Sequence, residues 1–195
     1  MSDIFEQPGD AATPLTPEEL RDLIPTYISS RADLNEAEQD NIVRGQAWAF
    51  GRRRETLTEK FVKDLHQRML GEVWRWAGDF RSSERNLGIP FYEIPVSVRQ
   101  LLDDVKVWIE RNSYPPDEIA VRLHHHLVQI HAFPNGNGRH ARLMADLLIM
   151  ELGGERFSWG RINLRDAGAT RAQYIAALRA ADNHDVSALL AFARS

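Results

Sequence analysis

The sequence predicts an all-α domain, a compact helical bundle with one short β-hairpin, and three observations carry that expectation. Helix-start signals recur along the chain, apolar residues between them repeat at intervals of three and four, and a single stretch over residues 77–95 breaks the period. A length of 195 residues suits one domain with a sizeable core. The expected division is a flexible N-terminal arm over residues 1–14 and a single helical domain over residues 15–195.

Each element has its own signal. In "TPEEL", Thr16 is the expected cap, Pro17 the first helical residue and Glu19 the third. In "LNEAEQ", Asn35 is the expected cap with Glu38 at the capping-box position, followed by Ile42, Val43, Ala47 and Trp48 at helical spacing. Arg52, Arg53 and Arg54 then favour the negative end of that helix. Thr56 with Glu59 announces a third helix carrying Phe61, Val62, Leu65, Met69, Val73 and Trp76. Trp74 and Trp76 are read as core residues rather than a stacking platform.

The interruption reads "AGDFRSSERNLGIPFYEIP", two glycines and two prolines among aromatic and β-branched residues, which predicts a hairpin around Asn86 to Ile94. The helical period resumes from Val96 through Val98, Leu101, Leu102, Val105 and Ile109, and Pro115 and Pro116 separate it from the next helix. That helix carries Ile119, Leu123, Leu127 and Ile130 on one face. "RLMADLLIMEL" is a central helix closed by Gly153 and Gly154, and the C-terminal part splits at "DNHD", where Asp185 is the expected cap of the last helix.

Composition narrows the function classes. No cysteine is present, so disulfides and thiolate metal sites are excluded, which suits a cytoplasmic protein. No run of 18 apolar residues and no secretory leader pattern occurs, so no membrane association is expected. A net charge of -4 argues against direct nucleic-acid binding. The triplet His124, His125 and His126 points in divergent directions on a helix and is read as packing rather than metal ligation, and His140 likewise as a packing or surface residue.

One segment concentrates chemistry. Residues 130–142 read "IHAFPNGNGRHAR". His131 ends an apolar helix, and a neutral imidazole is suited to accepting a proton near pH 7. Gly136, Asn137 and Gly138 let backbone amides approach a ligand, and the helix beginning there adds the positive end of its dipole. Arg139 and Arg142 lie three apart on that helix, and guanidinium forks match phosphate oxygens. Together these residues describe a phosphate pocket with a base at its rim.

The same segment resembles the signature of the Fic/Doc family, H-x-F-x-(D/E)-G-N-G-R-x-x-R, at His131, Phe133, Gly136, Asn137, Gly138, Arg139 and Arg142. "WRWAGDFRSSERNLG" resembles the family's approach to a target-docking flap, and "YIAALRAADNHDVSALLAFA" its closing helices. Within the family the chain is most similar to the bacterial group called mobile mystery protein B, which shares "PNGNGRHAR".

The resemblance implies a Fic fold and transfer of AMP, or another nucleotide or phosphate-linked group, from ATP with Mg²⁺ to a Ser, Thr or Tyr hydroxyl of a target protein. His131 would be the general base, Asn137 and the Gly138 amide would bind the α-phosphate, Arg139 and Arg142 the β- and γ-phosphates, and Phe133 would anchor the loop in the core. Asn86, Leu87, Gly88 and Ile89 belong to the implied flap, which would pair with the target by strand addition. Asn135 stands where the family carries Asp or Glu, so a weakened Mg²⁺ site is expected. The alternative is a weakened module that keeps the pocket to bind nucleotide or protein.

Many relatives restrain themselves through a helix bearing S/T-x-x-x-E-G/N. Here "SRADLN" puts Leu34 at the glutamate position, and Glu36 nearby is read as an acid that favours the helix N-terminus rather than one that reaches Arg142. A toxin-like activity restrained by a companion antitoxin is therefore the implied arrangement. The residues leave a homo-oligomer open.

Overall fold

The computed structural model describes residues 17–160 and 167–195. The expected arm over residues 1–14 and the cap Thr16 lie outside the described residues. The described chain runs α1 (Pro17–Leu20), α2 (Arg31–Phe50), α3 (Glu59–Leu70), a 3-10 turn (Phe91–Glu93), α4 (Ile94–Glu110), α5 (Pro116–Ile130), α6 (Asn137–Glu151), α7 (Ala167–Asp182) and α8 (Ser187–Arg194). None of the described helices is long and apolar enough to cross a membrane.

The helices α5 and α6 make the most extensive pairing and form the centre, with α2 packed on α3, α4 on α5 and α7 on α8. Val121, Leu123, Ala141, Met144 and Ile149 on these two helices are fully enclosed in the core. Each large apolar side chain so buried contributes about 1.5–3 kcal/mol relative to exposure. Trp74 and Trp76 both belong to this core and stack with ring centroids 5.1 Å apart.

Two helix starts differ from the sequence expectation. The α2 helix begins five residues earlier than Asn35 implies, because Ser30 caps it by accepting from the Asp33 N–H at 3.1 Å while Asp33 reaches back to the Ser30 N–H at 2.9 Å. Glu38 is thereby released from any capping role and lies buried. The cap of α3 is Thr58, which accepts from the Phe61 N–H at 3.1 Å, whereas Thr56 is buried and donates to Glu151 at 2.8 Å. Arg54 follows the negative end of α2 as expected, donating to the Trp48 carbonyl at 2.8 Å with its guanidinium 3.7 Å from the Trp48 ring centroid. Asp185 accepts from the Ser187 N–H at 3.0 Å at the start of α8.

The expected hairpin is absent among the described residues. Residues 81–90 carry no strand, and Phe91, Tyr92 and Glu93 coil directly into α4. The strand-like composition is overridden because the segment is tied to the end of α5: the Arg81 N–H donates to the Ala132 carbonyl at 2.9 Å and the Ile89 N–H reaches the Ile130 carbonyl at 3.5 Å. Pro90 and Pro95 then favour the turn and the first residues of α4 over a returning strand.

Candidate active site

The end of α5, the loop 131–136 and the first turns of α6 border a cleft of about 920 Å³. Residues 87–89 form its rim and α7 its opposite wall. His131, Gly138 and Arg142 line it together.

His131 ends α5 in the left-handed region, with φ 54° and ψ 57°, while its N–H still donates to the Leu127 carbonyl at 3.1 Å. This break in the helix sends the chain, and the imidazole with it, towards the cleft instead of into a further turn. A ring nitrogen of His131 donates to the Val128 carbonyl, so the other ring nitrogen carries the lone pair. Burial and then the neighbouring Arg81 cation push its pKa down to about 4, so the ring is neutral at pH 7.

The loop is braced from inside. Phe133 is buried and stacks on His66, with ring centroids 3.7 Å apart and planes 11° from parallel. His66 in turn donates from Nε2 to the Asn135 carbonyl at 3.0 Å and accepts the Gly78 N–H at Nδ1 at 3.0 Å. His140 reaches the Val62 carbonyl through Nε2 at 3.0 Å, a packing role inside the core. Asn137 spans the loop, accepting from the Phe133 N–H at 2.9 Å and donating to its carbonyl at 2.7 Å. With its side chain so engaged, what Asn137 presents to an anion is its backbone N–H. The N–H groups of Asn137, Gly138 and Arg139 precede the first intrahelical bond of α6 and have no acceptor within the helix.

Gly136 explains the motif's first glycine. Its φ is +78°, and a Cβ there would lie 2.6 Å from Leu70 Cδ1. Asn135 accepts the Gly136 N–H at Oδ1 at 2.6 Å, so its amide oxygen is spent on the loop. Among the described residues no three His, Asp or Glu side chains gather that could hold a metal ion by themselves. A neutral, already bonded amide does not fit a protein-ligated Mg²⁺ ion, which takes carboxylates, phosphate oxygens and water.

The two motif arginines part company. Arg142 lines the cleft with its guanidinium carbon 5.4 Å from the Tyr174 ring centroid. Arg139 instead places Nη1 2.7 Å from Glu38 Oε2, and the other oxygen of Glu38 accepts from Trp74 Nε1 at 2.8 Å. Three residues on a helix separate side chains by about 60°, enough for a buried carboxylate on α2 to capture one of them. Leu34 is buried and Glu36 exposed, so the acid that reaches a motif arginine is Glu38.

Among the implied flap residues, Asn86, Leu87 and Gly88 are exposed and Ile89 half-buried. Gly88 has φ +97°, and a Cβ there would lie 2.6 Å from His131 Cβ, so the rim rests directly on the imidazole stem. Sequence reasoning missed Arg81, a buried cation under this rim, and Tyr174, whose hydroxyl lies 3.0 Å from His124 Nε2. For the triplet His124 to His126 it expected packing and helix-surface roles, with one histidine hydrogen-bonded near the site, and that one is His125. His125 lines the cleft, where Asp182 Oδ1 lies 2.8 Å from its Nε2 and accepts from Gln129 at 2.9 Å. The α7 residues lie far along the chain and carry no motif that ties them to the loop.

A family model described as the Fic/DOC family matches residues 56–149. The protein adenylyltransferase Fic of Drosophila mojavensis is 34% identical over 101 residues, which cover 50% of this chain but 20% of that protein. A solved structure of BepC from Bartonella tribocorum with bound AMPPNP matches with a TM-score of 0.65 at 16% identity, covering 86% of this chain and 87% of that one. Fic-1 from C. elegans matches with a TM-score of 0.60 at 22% identity, covering 92% of this chain and 62% of that one.

Proposed function

The chain is a member of the Fic/DOC family through its residues 56–149, and from that premise we propose that it transfers AMP from ATP to a hydroxyl of a target protein. The observation that carries this reading is that a neutral imidazole, His131, and an arginine, Arg142, line one cleft at the N-terminal end of α6. The relatives named protein adenylyltransferase support the choice of AMP.

In this reading the triphosphate lies against the first N–H groups of α6 and the Arg142 guanidinium. The lone-pair nitrogen of His131 takes the proton of a Ser, Thr or Tyr hydroxyl as its oxygen attacks the α-phosphorus. The new bond is oxygen to α-phosphorus. The bond from α-phosphorus to the bridging oxygen breaks, and pyrophosphate leaves with that electron pair. A base with a pKa near 4 is weak, but the bound polyanion stabilises the imidazolium and raises it towards neutrality. The exposed backbone of Leu87 and Gly88 receives an extended piece of the target.

A second reading is favoured by Asn135 and by the Glu38–Arg139 pair, which together remove a carboxylate and one cation from the phosphate machinery. It is a module that binds nucleotide or protein without transfer. Restraint by a companion antitoxin fits either reading. Incubation with cell lysate and ATP labelled at the α- or γ-phosphate separates them. AMP transfer puts the α-label alone on protein and loses it in His131→Ala. ATP binding with no protein label supports the module, and γ-label on protein supports phosphoryl transfer.

A further inference from the structure

Arg81 is buried, its side chain fully enclosed, yet no carboxylate makes close contact with it. Glu84 comes nearest at 4.0 Å and is itself 60% exposed. The partners of Arg81 are carbonyls. Its Nε donates to the His131 carbonyl at 2.7 Å, Nη1 to the Ser83 carbonyl at 2.9 Å and Nη2 to the Ile89 carbonyl. Its own backbone N–H holds the Ala132 carbonyl at 2.9 Å. One residue thus ties the end of α5, the motif loop and the rim segment into one cross-linked unit.

Burying a cation among neutral acceptors is costly, and an apolar side chain of similar length fills such a space at lower cost. Packing alone therefore does not account for arginine at this position. The three bonded carbonyls identify what the guanidinium fork does. The His131 carbonyl belongs to a non-glycine residue at φ 54°, a conformation that needs its surroundings to hold it. The Ile89 carbonyl ends the rim that, on the transfer reading, would receive the target. Between them Gly88 is so close that an added Cβ would sit 2.8 Å from Arg81 Nη2.

We propose that Arg81 is a positioning residue that sets the register between the docking rim at 87–89 and the imidazole of His131, so that a polypeptide paired along the rim presents its hydroxyl to the base. This rests on the transfer reading above. The guanidinium acts on the base in two separable ways: its fork fixes the backbone under the ring, and its charge disfavours the imidazolium. The charges that act on the His131 ring are Arg81 and Arg85 from the rim segment, and the charged or titratable groups that line the same cleft are His125 from α5, Arg142 from α6, and Arg171, Arg179 and Asp182 from α7.

Two variants of the full chain separate fork from charge. Arg81→Lys keeps the cation but cannot reach three carbonyls, and Arg81→Met removes both. The titration of the His131 ring protons by NMR, the affinity for ATP and the rate of α-label transfer to lysate protein are measured for each. The expected result for Arg81→Met is a His131 midpoint raised by about one unit or more, with the acid limb of the transfer rate displaced the same way. For Arg81→Lys the midpoint stays within about half a unit of wild type. Transfer falls about tenfold or more in both, while ATP affinity changes by less than about twofold.

Retained transfer in Arg81→Lys, or an unmoved His131 midpoint in Arg81→Met, overturns the proposal. If Arg81→Met does not fold, Gly88→Ala takes its place, because its methyl meets both His131 Cβ and the Arg81 fork and so disturbs the same register without removing charge; undiminished transfer in that variant is equally decisive against it. Should wild type itself bind ATP but label nothing, the transfer reading fails on its own, and the titration midpoints still decide whether Arg81 governs the imidazole.

Discussion

Arg139 Nη1 and Glu38 Oε2 lie 2.7 Å apart, joining the first turn of α6 to the buried face of α2. Glu38 is bonded on its other oxygen to Trp74, so this pair belongs to the core as much as to the site. Arg139→Ala leaves a buried carboxylate short of its cation and is expected to cost about 1–3 kcal/mol in urea unfolding. Arg142→Ala is expected to leave stability nearly unchanged and to weaken ATP binding about tenfold or more, against less than about threefold for Arg139→Ala. Equal losses of affinity in the two variants, measured by calorimetry, would show that Arg139 leaves Glu38 to grip the nucleotide.

The two motif glycines are expected to answer differently to the same substitution. Gly136→Ala places a methyl at φ +78° and 2.6 Å from Leu70 Cδ1, which costs about 1–3 kcal/mol of stability. At Gly138 the nearest atom to an added Cβ is the Tyr174 hydroxyl at 3.9 Å, an ordinary contact. Gly138→Ala should therefore unfold within about 0.5 kcal/mol of wild type, yet bind ATP more weakly, because its methyl occupies the approach to the α6 amides. Equal unfolding midpoints for the two variants would contradict the strain assigned to Gly136.

Stability should fall on mild acidification. His66, His124, His131 and His140 are buried, and burial lowers the pKa of each, to about 3 for His124 and about 4 for His131 and His140. In the unfolded chain these rings take protons near 6.5, so the stability due to keeping them neutral is complete above that value. It declines as pH drops through 6.5 towards 4, by about 1 kcal/mol per unit for each ring at the steepest. Urea midpoints at pH 7.5, 6.0 and 5.0 test this; a midpoint that is flat or rises towards pH 5.0 would contradict it.

Asn135→Asp is expected to preserve the loop, since a carboxylate oxygen accepts the Gly136 N–H as the amide does. It adds the charge that a divalent ion needs. ATP binding by the variant should then tighten with Mg²⁺ by several-fold more than in wild type, compared with and without a chelator. The same response to Mg²⁺ in both proteins would show that residue 135 lies outside the reach of the nucleotide's cation.

The order and type of the helices were legible because their signals are local. Pro116 at the start of α5, and Leu123 and Leu127 along its buried face, sit four or fewer residues from the partners that define them. Within the continuous motif, the sequence placed His131, Gly138 and Arg142 in one neighbourhood, and these three line the cleft. What escaped the sequence is set by tertiary contacts. Glu38 looks like a capping acid until Ser30 takes the cap and α6 brings Arg139 to it. The stretch 86–94 looks like a hairpin until Arg81 ties it to the end of α5. Asp182 and Tyr174 meet α5 and α6 only because α7 closes the cleft, a relation that no spacing in the chain encodes.

If His131 performs the proton transfer while other groups hold the nucleotide, His131→Ala separates the two roles most directly when ATP affinity and α-label transfer to lysate protein are measured on the same preparation. Affinity within about twofold of wild type together with loss of all protein label is the predicted result. Label retained near the wild-type rate, or affinity lost in parallel with the label, would contradict it.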